Sequence, residues 1–349
     1  MFPREYRGVA FAVGLFLVVQ LGALALVPEF VESGYQPVED PQDPTNSLVY
    51  IVAIVVMTGL MLAAFRYEFD WAIRLLIVGV SAWLSWYVFA AFAPPLLAAV
   101  PAVAVAVGLL VHPEWYVVDA AGVLMGAGAA GLFGISFGIL PALVLLGFLA
   151  VYDAISVYGT EHMLSLAEGV MDLNIPVVLV IPLSLSYSLL DDDDPADGDD
   201  PNDEIDGDES DGSDAETDGD GVDDDATDRD TAAVDGDRDV ADDVPDIEDR
   251  DAFFIGLGDA VIPAVMVASA ATFSPAAALS VPLIGLNLPA LFAMGGTLVG
   301  LLVLLRWVMR GRAHAGLPLL NGGAIGGYLV GSLLAGVSLV EALGLSVVF

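Results

Sequence analysis

Two aspartates are set where acids are costly. Asp153, in Val151-Tyr152-Asp153, and Asp259, in Gly256-Leu257-Gly258-Asp259, each lie within a long apolar run. An acid at the centre of a bilayer costs about 2.5–3.5 kcal/mol or more, so one kept there usually has a function or a partner. Two carboxyls in contact do not both ionise readily, and the couple holds one proton over a wide pH range. Such a couple can hydrolyse a peptide bond. One carboxylate takes a proton from water, which attacks the carbonyl carbon. The other group, as the acid, protonates the carbonyl oxygen and then assists the leaving amine. Taken singly, membrane aspartates also act as structural hydrogen-bonding groups, ion ligands or proton relays. The chain has no cysteine and three histidines. That excludes disulfides, thiolate metal sites and a cysteine nucleophile, and no metal or cofactor is expected.

The elements that position these aspartates read as membrane helices. Of 349 residues 57% are hydrophobic and 16% charged, whereas a soluble domain carries roughly 25% charged residues. Continuous apolar runs of about 20 residues recur, the length of a bilayer-spanning helix. A transmembrane barrel would show short alternating segments instead. The expected fold is an all-α polytopic membrane protein. Its nine spans cover about 8–28, 47–65, 72–92, 95–111, 118–134, 137–158, 253–272, 284–305 and 318–336. The first follows Arg4 and Arg7 but is too long for a signal-peptide core and lacks a cleavage signature, so it reads as a retained helix. All ten basic residues are arginines, and in this arrangement all fall on one side. By the positive-inside rule the N-terminus is cytoplasmic and the C-terminus outside, in a multi-pass protein of the cell membrane. Asp153 and Asp259 then both lie about 10 Å inside the cytoplasmic boundary, at ~1.5 Å per residue.

The net charge of −37 is concentrated in one place. Residues 191–251 hold 31 of the 47 acids. This stretch lacks the apolar residues needed to offset its ordering entropy, which predicts a disordered cytoplasmic loop. It divides the chain into 1–190, with six spans and a short following segment, and 252–349, with three. The Asp-rich, lysine-free composition suits a halophile, because at molar salt charges are screened within about 3 Å. A partial calcium-loop pattern at 214–225 reads as a chance match in an acid-rich linker. Gly126-Ala127-Gly128-Ala129-Ala130-Gly131 fits the dinucleotide fingerprint literally. It lies inside an apolar span with no strand before it, so close helix packing is the expected role. The same applies to Gly322, Gly323, Gly326, Gly327 and Gly331. His112, Glu114, Asp119 and His314 read as interfacial or capping groups.

Tyr-Asp in one span, Gly-Leu-Gly-Asp in the next and Pro318-Leu319-Leu320 opening the last resemble the presenilin and signal-peptide-peptidase family of intramembrane aspartyl proteases. The likeness extends to the long loop between the aspartate helices. It also covers 162–188, which resembles a short amphipathic helix followed by a proline-bounded extended stretch.

The resemblance implies an aspartic endopeptidase with Asp153 and Asp259 catalytic. Tyr152, Gly256 and Gly258 support the site, and Leu257, Pro318, Leu319 and Leu320 engage substrate. Leu319 stands where the family has alanine. The implied partners are transmembrane peptides or proteins, such as remnant signal peptides, within a lipid bilayer; no nucleic acid is implied. Cleaving a helix requires unwinding it. The freed segment could add to an enzyme strand, for which Val177–Ile181, between Pro176 and Pro182, is the candidate. The rival reading is a transporter or proton-coupled carrier that uses the same aspartates as a relay; no inverted repeat is visible to favour it. A prepilin-type peptidase also uses a GxGD aspartate but has fewer spans.

Overall fold

The computed structural model describes residues 4–67, 69–159, 178–184, 187–189, 252–281, 284–309 and 315–345. The acidic stretch 191–251 with its calcium-like window, the amphipathic part of 160–177 and His314 lie outside them. Among the described residues the chain forms nine long helices. They are α1 (Arg4–Glu32), α2 (Thr45–Arg66), α3 (Asp70–Ala90), α4 (Pro95–Val111), α5 (Trp115–Ser136), α6 (Ile139–Gly159), α7 (Leu257–Phe273), α8 (Leu288–Val308) and α9 (Gly316–Leu334). A short α10 (Leu339–Ala342) follows. Two small antiparallel pairs join them: β1 (Val178–Pro182) with β2 (Ala252–Gly256), and β3 (Ala278–Leu279) with β4 (Leu286–Asn287).

Each expected span overlaps one long helix. Six are long and apolar enough to cross a membrane: α1, α3, α5, α6, α8 and α9. The apolar stretches in α2, α4 and α7 are shorter.

Two expectations need correction. The run read as one span over 253–272 is a strand to Gly256 and a helix only from Leu257. Asp259 therefore lies in the first helical turn, not a third of the way along a span. The last helix begins at Gly316, two residues before Pro318. Pro318 sits within the first turn, where backbone N–H groups have no intrahelical partner, so its missing N–H breaks nothing.

Helices α1, α5, α7, α8 and α9 share the central core, where Phe16, Leu24, Met266 and Tyr328 are fully buried. The glycine run of α5 works as a packing surface. Gly126 lies against Val19 of α1 and Val261 of α7, Gly128 against Val88 of α3, and Gly131 against Phe30 of α1. A side chain on any of them would push a neighbouring helix away. The α8–α9 seam is tighter. A methyl on Gly323 would strike the carbonyl of Gly296, and one on Gly327 the carbonyl of Phe292. Gly323, Gly327 and Gly331, four residues apart, form the packed face. Gly322 and Gly326 face open space, so only part of the expected glycine face is a contact.

Candidate active site

The site starts from a strand-to-helix junction. β1 and β2 pair with Val178 opposite Gly256 and Val180 opposite Phe254. The strand expected at 177–181 thus finds its partner directly before the second aspartate. Gly256 is both the last residue of β2 and the N-cap of α7. Asp259 follows in the first turn, where the partial positive charge of a helix N-terminus suits an acid. Pro263, one turn on, has no N–H to return to the Asp259 carbonyl. Asp153 is placed differently, inside α6 and six residues before its end.

Both carboxyls converge on the start of α9. Leu317 donates its backbone N–H to Oδ2 of Asp153 at 3.1 Å. The carboxyl of Asp259 lies against Gly316, where an added Cβ would stand 2.9 Å from Oδ2. Two consecutive residues of one helix terminus therefore contact both acids, with that terminus presenting its positive end.

The other sequence-derived residues are distributed unevenly. A Cβ on Gly256 would meet the Asp259 carboxyl at an ordinary 3.7 Å, and Gly258 is exposed with open space around it. Leu257 is buried and packs on Gly126 of α5, inside the core and not on a cleft. Tyr152 is 42% exposed and stacks on Phe148 with ring centres 6.2 Å apart, on the outer flank of α6. Pro318 lines an open groove of about 570 Å³ between α6 and α9, together with Ala154, Ile155, Tyr158, Gly322 and Ile325. Leu319 is half-buried with its carbonyl against Gly300, and Leu320 is fully buried. Of the three motif residues, only Pro318 lines this groove.

Three contributors were not legible beforehand. Gly316 and the Leu317 N–H carried no periodic signal. Asp119 was read as an interfacial or capping acid, but it lies past the first turn of α5 and caps no helix end. Its Oδ1 accepts the N–H of Val180 in β1 at 2.7 Å. Glu114, the N-cap of α5, likewise makes no cap bond and instead accepts from Ser188 Oγ and the Leu189 N–H.

Residues 13–337 match the family described as signal-peptide peptidase, presenilin aspartyl protease. The chain belongs to this family. It is similar to a solved structure of a presenilin family intramembrane aspartate protease in space group C222, at 30% identity and a TM-score of 0.59, covering 93% of this chain and 99% of that one. A structure of a presenilin family intramembrane aspartate protease in space group P2 is 29% identical with a TM-score of 0.54, covering 92% and 96%. No curated protein matches the sequence. This presenilin-family chain is an intramembrane aspartic endopeptidase and a multi-pass membrane protein. The carrier reading is not favoured.

Proposed function

We propose that Asp153 and Asp259 form the catalytic couple that activates water and hydrolyses peptide bonds within transmembrane segments, such as remnant signal peptides or single-span proteins. The observation that carries this is the convergence of both carboxyls on Gly316 and Leu317. One shared proton serves both steps: the ionised partner deprotonates water, and the protonated partner donates to the carbonyl oxygen. The Leu317 N–H steadies Asp153 while it changes charge, since hydrogen bonds to ionised groups are the stronger ones.

The groove between α6 and α9 is apolar, and it reaches Pro318, one residue beyond Leu317. It suits the side of a substrate helix, and an unwound segment would then add to the sheet beside β2. Gly256 and Gly258 leave room for that backbone next to Asp259, and Tyr152 and Leu257 position the two acid-bearing segments from outside and inside. The proposed arrangement has nine crossings, with the N-terminus and the acidic loop in the cytoplasm and the C-terminus outside the cell membrane.

The test is cleavage of a transmembrane peptide by purified protein in detergent. Asp153→Asn and Asp259→Asn should each lower the rate by about 100- to 10,000-fold, the usual worth of a general acid or base, while melting temperature and elution volume stay unchanged. Cleavage at near-native rate by both folded variants would end the proposal.

A further inference from the structure

Asp119 is 4% exposed, and its Oδ2 has no hydrogen-bond partner among the described residues. Burying a carboxyl with one oxygen unmatched opposes folding, and an apolar residue would be gentler on α5. Stability is thus a poor reason for an acid here. What Oδ1 holds is a better one.

Its partner, Val180, is the central residue of β1 and stands opposite Phe254. In an antiparallel pair, opposed residues alternate between those that exchange hydrogen bonds and those whose N–H and C=O point outward. The Val180 N–H is taken by Asp119, so the Val180–Phe254 pair is of the outward kind. Asp119 therefore closes the edge of β1 that faces away from β2. Both faces of β1 are covered as well. Leu179 and Ile181 join the central core, and Val180 packs with Val78, Leu109 and Val118. Glu114 fastens the chain again at Ser188 and Leu189.

The far edge of β2 is unlike this. By the same alternation Phe254 directs its N–H and C=O there, and Gly256 its N–H. Phe254 is 41% exposed and Gly256 is exposed. This edge runs directly into the turn that carries Asp259.

We propose that Asp119 is a positioning residue for proteolysis. By closing the outer edge of β1 and tying it to α5, it leaves β2 as the edge where an unwound substrate can join, and so fixes which peptide bond reaches the two aspartates. The proposal rests on the protease reading and on strand addition at β2.

Full-length Asp119→Leu keeps much of the carboxylate's shape without an acceptor, and Asp119→Ala is a second route should the leucine fail to fold. Asp119→Asn keeps a side-chain oxygen for the Val180 N–H. Cleavage products of a transmembrane peptide are mapped by mass spectrometry, with kcat, KM and melting temperature measured in parallel. The leucine or alanine variant should cut at additional bonds two residues from the native one, because a strand keeps its faces only in steps of two. Its kcat should fall about tenfold. Asparagine should restore the native cut. A single native cut with unchanged kcat in the leucine or alanine variant overturns the role of Asp119, whatever happens to the melting temperature. A peptide N-methylated at alternate positions beside the cut separates the two layers. If the native protein cleaves it as well as the parent peptide, strand addition fails and the proposal with it. If it resists cleavage while Asp119→Leu still cuts only at the native bond, the role of Asp119 alone is refuted.

Discussion

Asp153 and Asp259 meet at the same turn of α9 from unlike settings. Asp153 is carried by the continuous α6, with more than a turn of helix on either side. Asp259 stands in the opening turn of α7, directly after β2, with Pro263 loosening the turn behind it. One acid is fixed by its own helix and held by a hydrogen bond. The other is fixed by a strand paired to a distant segment and placed by close packing on a glycine. A couple built this way ties its acids to different parts of the molecule: Asp153 shifts only when α6 moves as a body, and Asp259 follows the strand pair before it.

The largest break in this comparison should come from Gly316→Val, which pushes the Asp259 carboxyl off α9. A misplacement of about 1 Å can cost about 100-fold in rate, so kcat should fall by that order with little change in melting temperature. Retained activity would mean that the contact with α9 does not position Asp259. Leu317→Pro removes the N–H bonded to Asp153 within the first helical turn, where no intrahelical hydrogen bond is lost. A hydrogen bond to a charged group is worth about 1.5–3 kcal/mol, so kcat should drop about tenfold or more, and the mapped cleavage sites should stay the same. A shift in those sites would contradict the division of labour between the two acids.

Gly323→Ala tests the platform beneath both. Its methyl meets the Gly296 backbone, and overpacking of this kind costs about 1–3 kcal/mol. Thermal unfolding in detergent should register that loss, whereas Gly322→Ala, facing open space, should not. The smallest effect is expected from deleting 195–245. The composition of that stretch supplies charge and no packed surface, so peptidase rate should change by less than about twofold, with solubility becoming less salt-dependent.

Much of this was legible in the sequence, because apolar runs of bilayer length leave few alternatives to helix. The two aspartates were conspicuous for the same reason, and the glycines of α5 announced close packing. The strand at 252–256 was hidden by that very uniformity. Ala252-Phe253-Phe254-Ile255-Gly256 continues without a polar break into α7, and a short apolar run reads equally as strand or helix. What decides it is β1, more than 70 residues earlier. Asp119 was misread on similar grounds, since its partner lies 61 residues away. Gly316 acquires meaning only when α7 and α9 meet, and a lone glycine ahead of a proline does not reveal that.

The glycine seam between α8 and α9 has a mechanical consequence. With backbones this close, the two helices act as a single slab, and neither can tilt without dragging the other against the core. Admitting a bulky guest beside Pro318 therefore falls to the opposite wall of the groove, where α6 bears Asp153 and is backed by α2, the helix with the shallowest footing in the bundle.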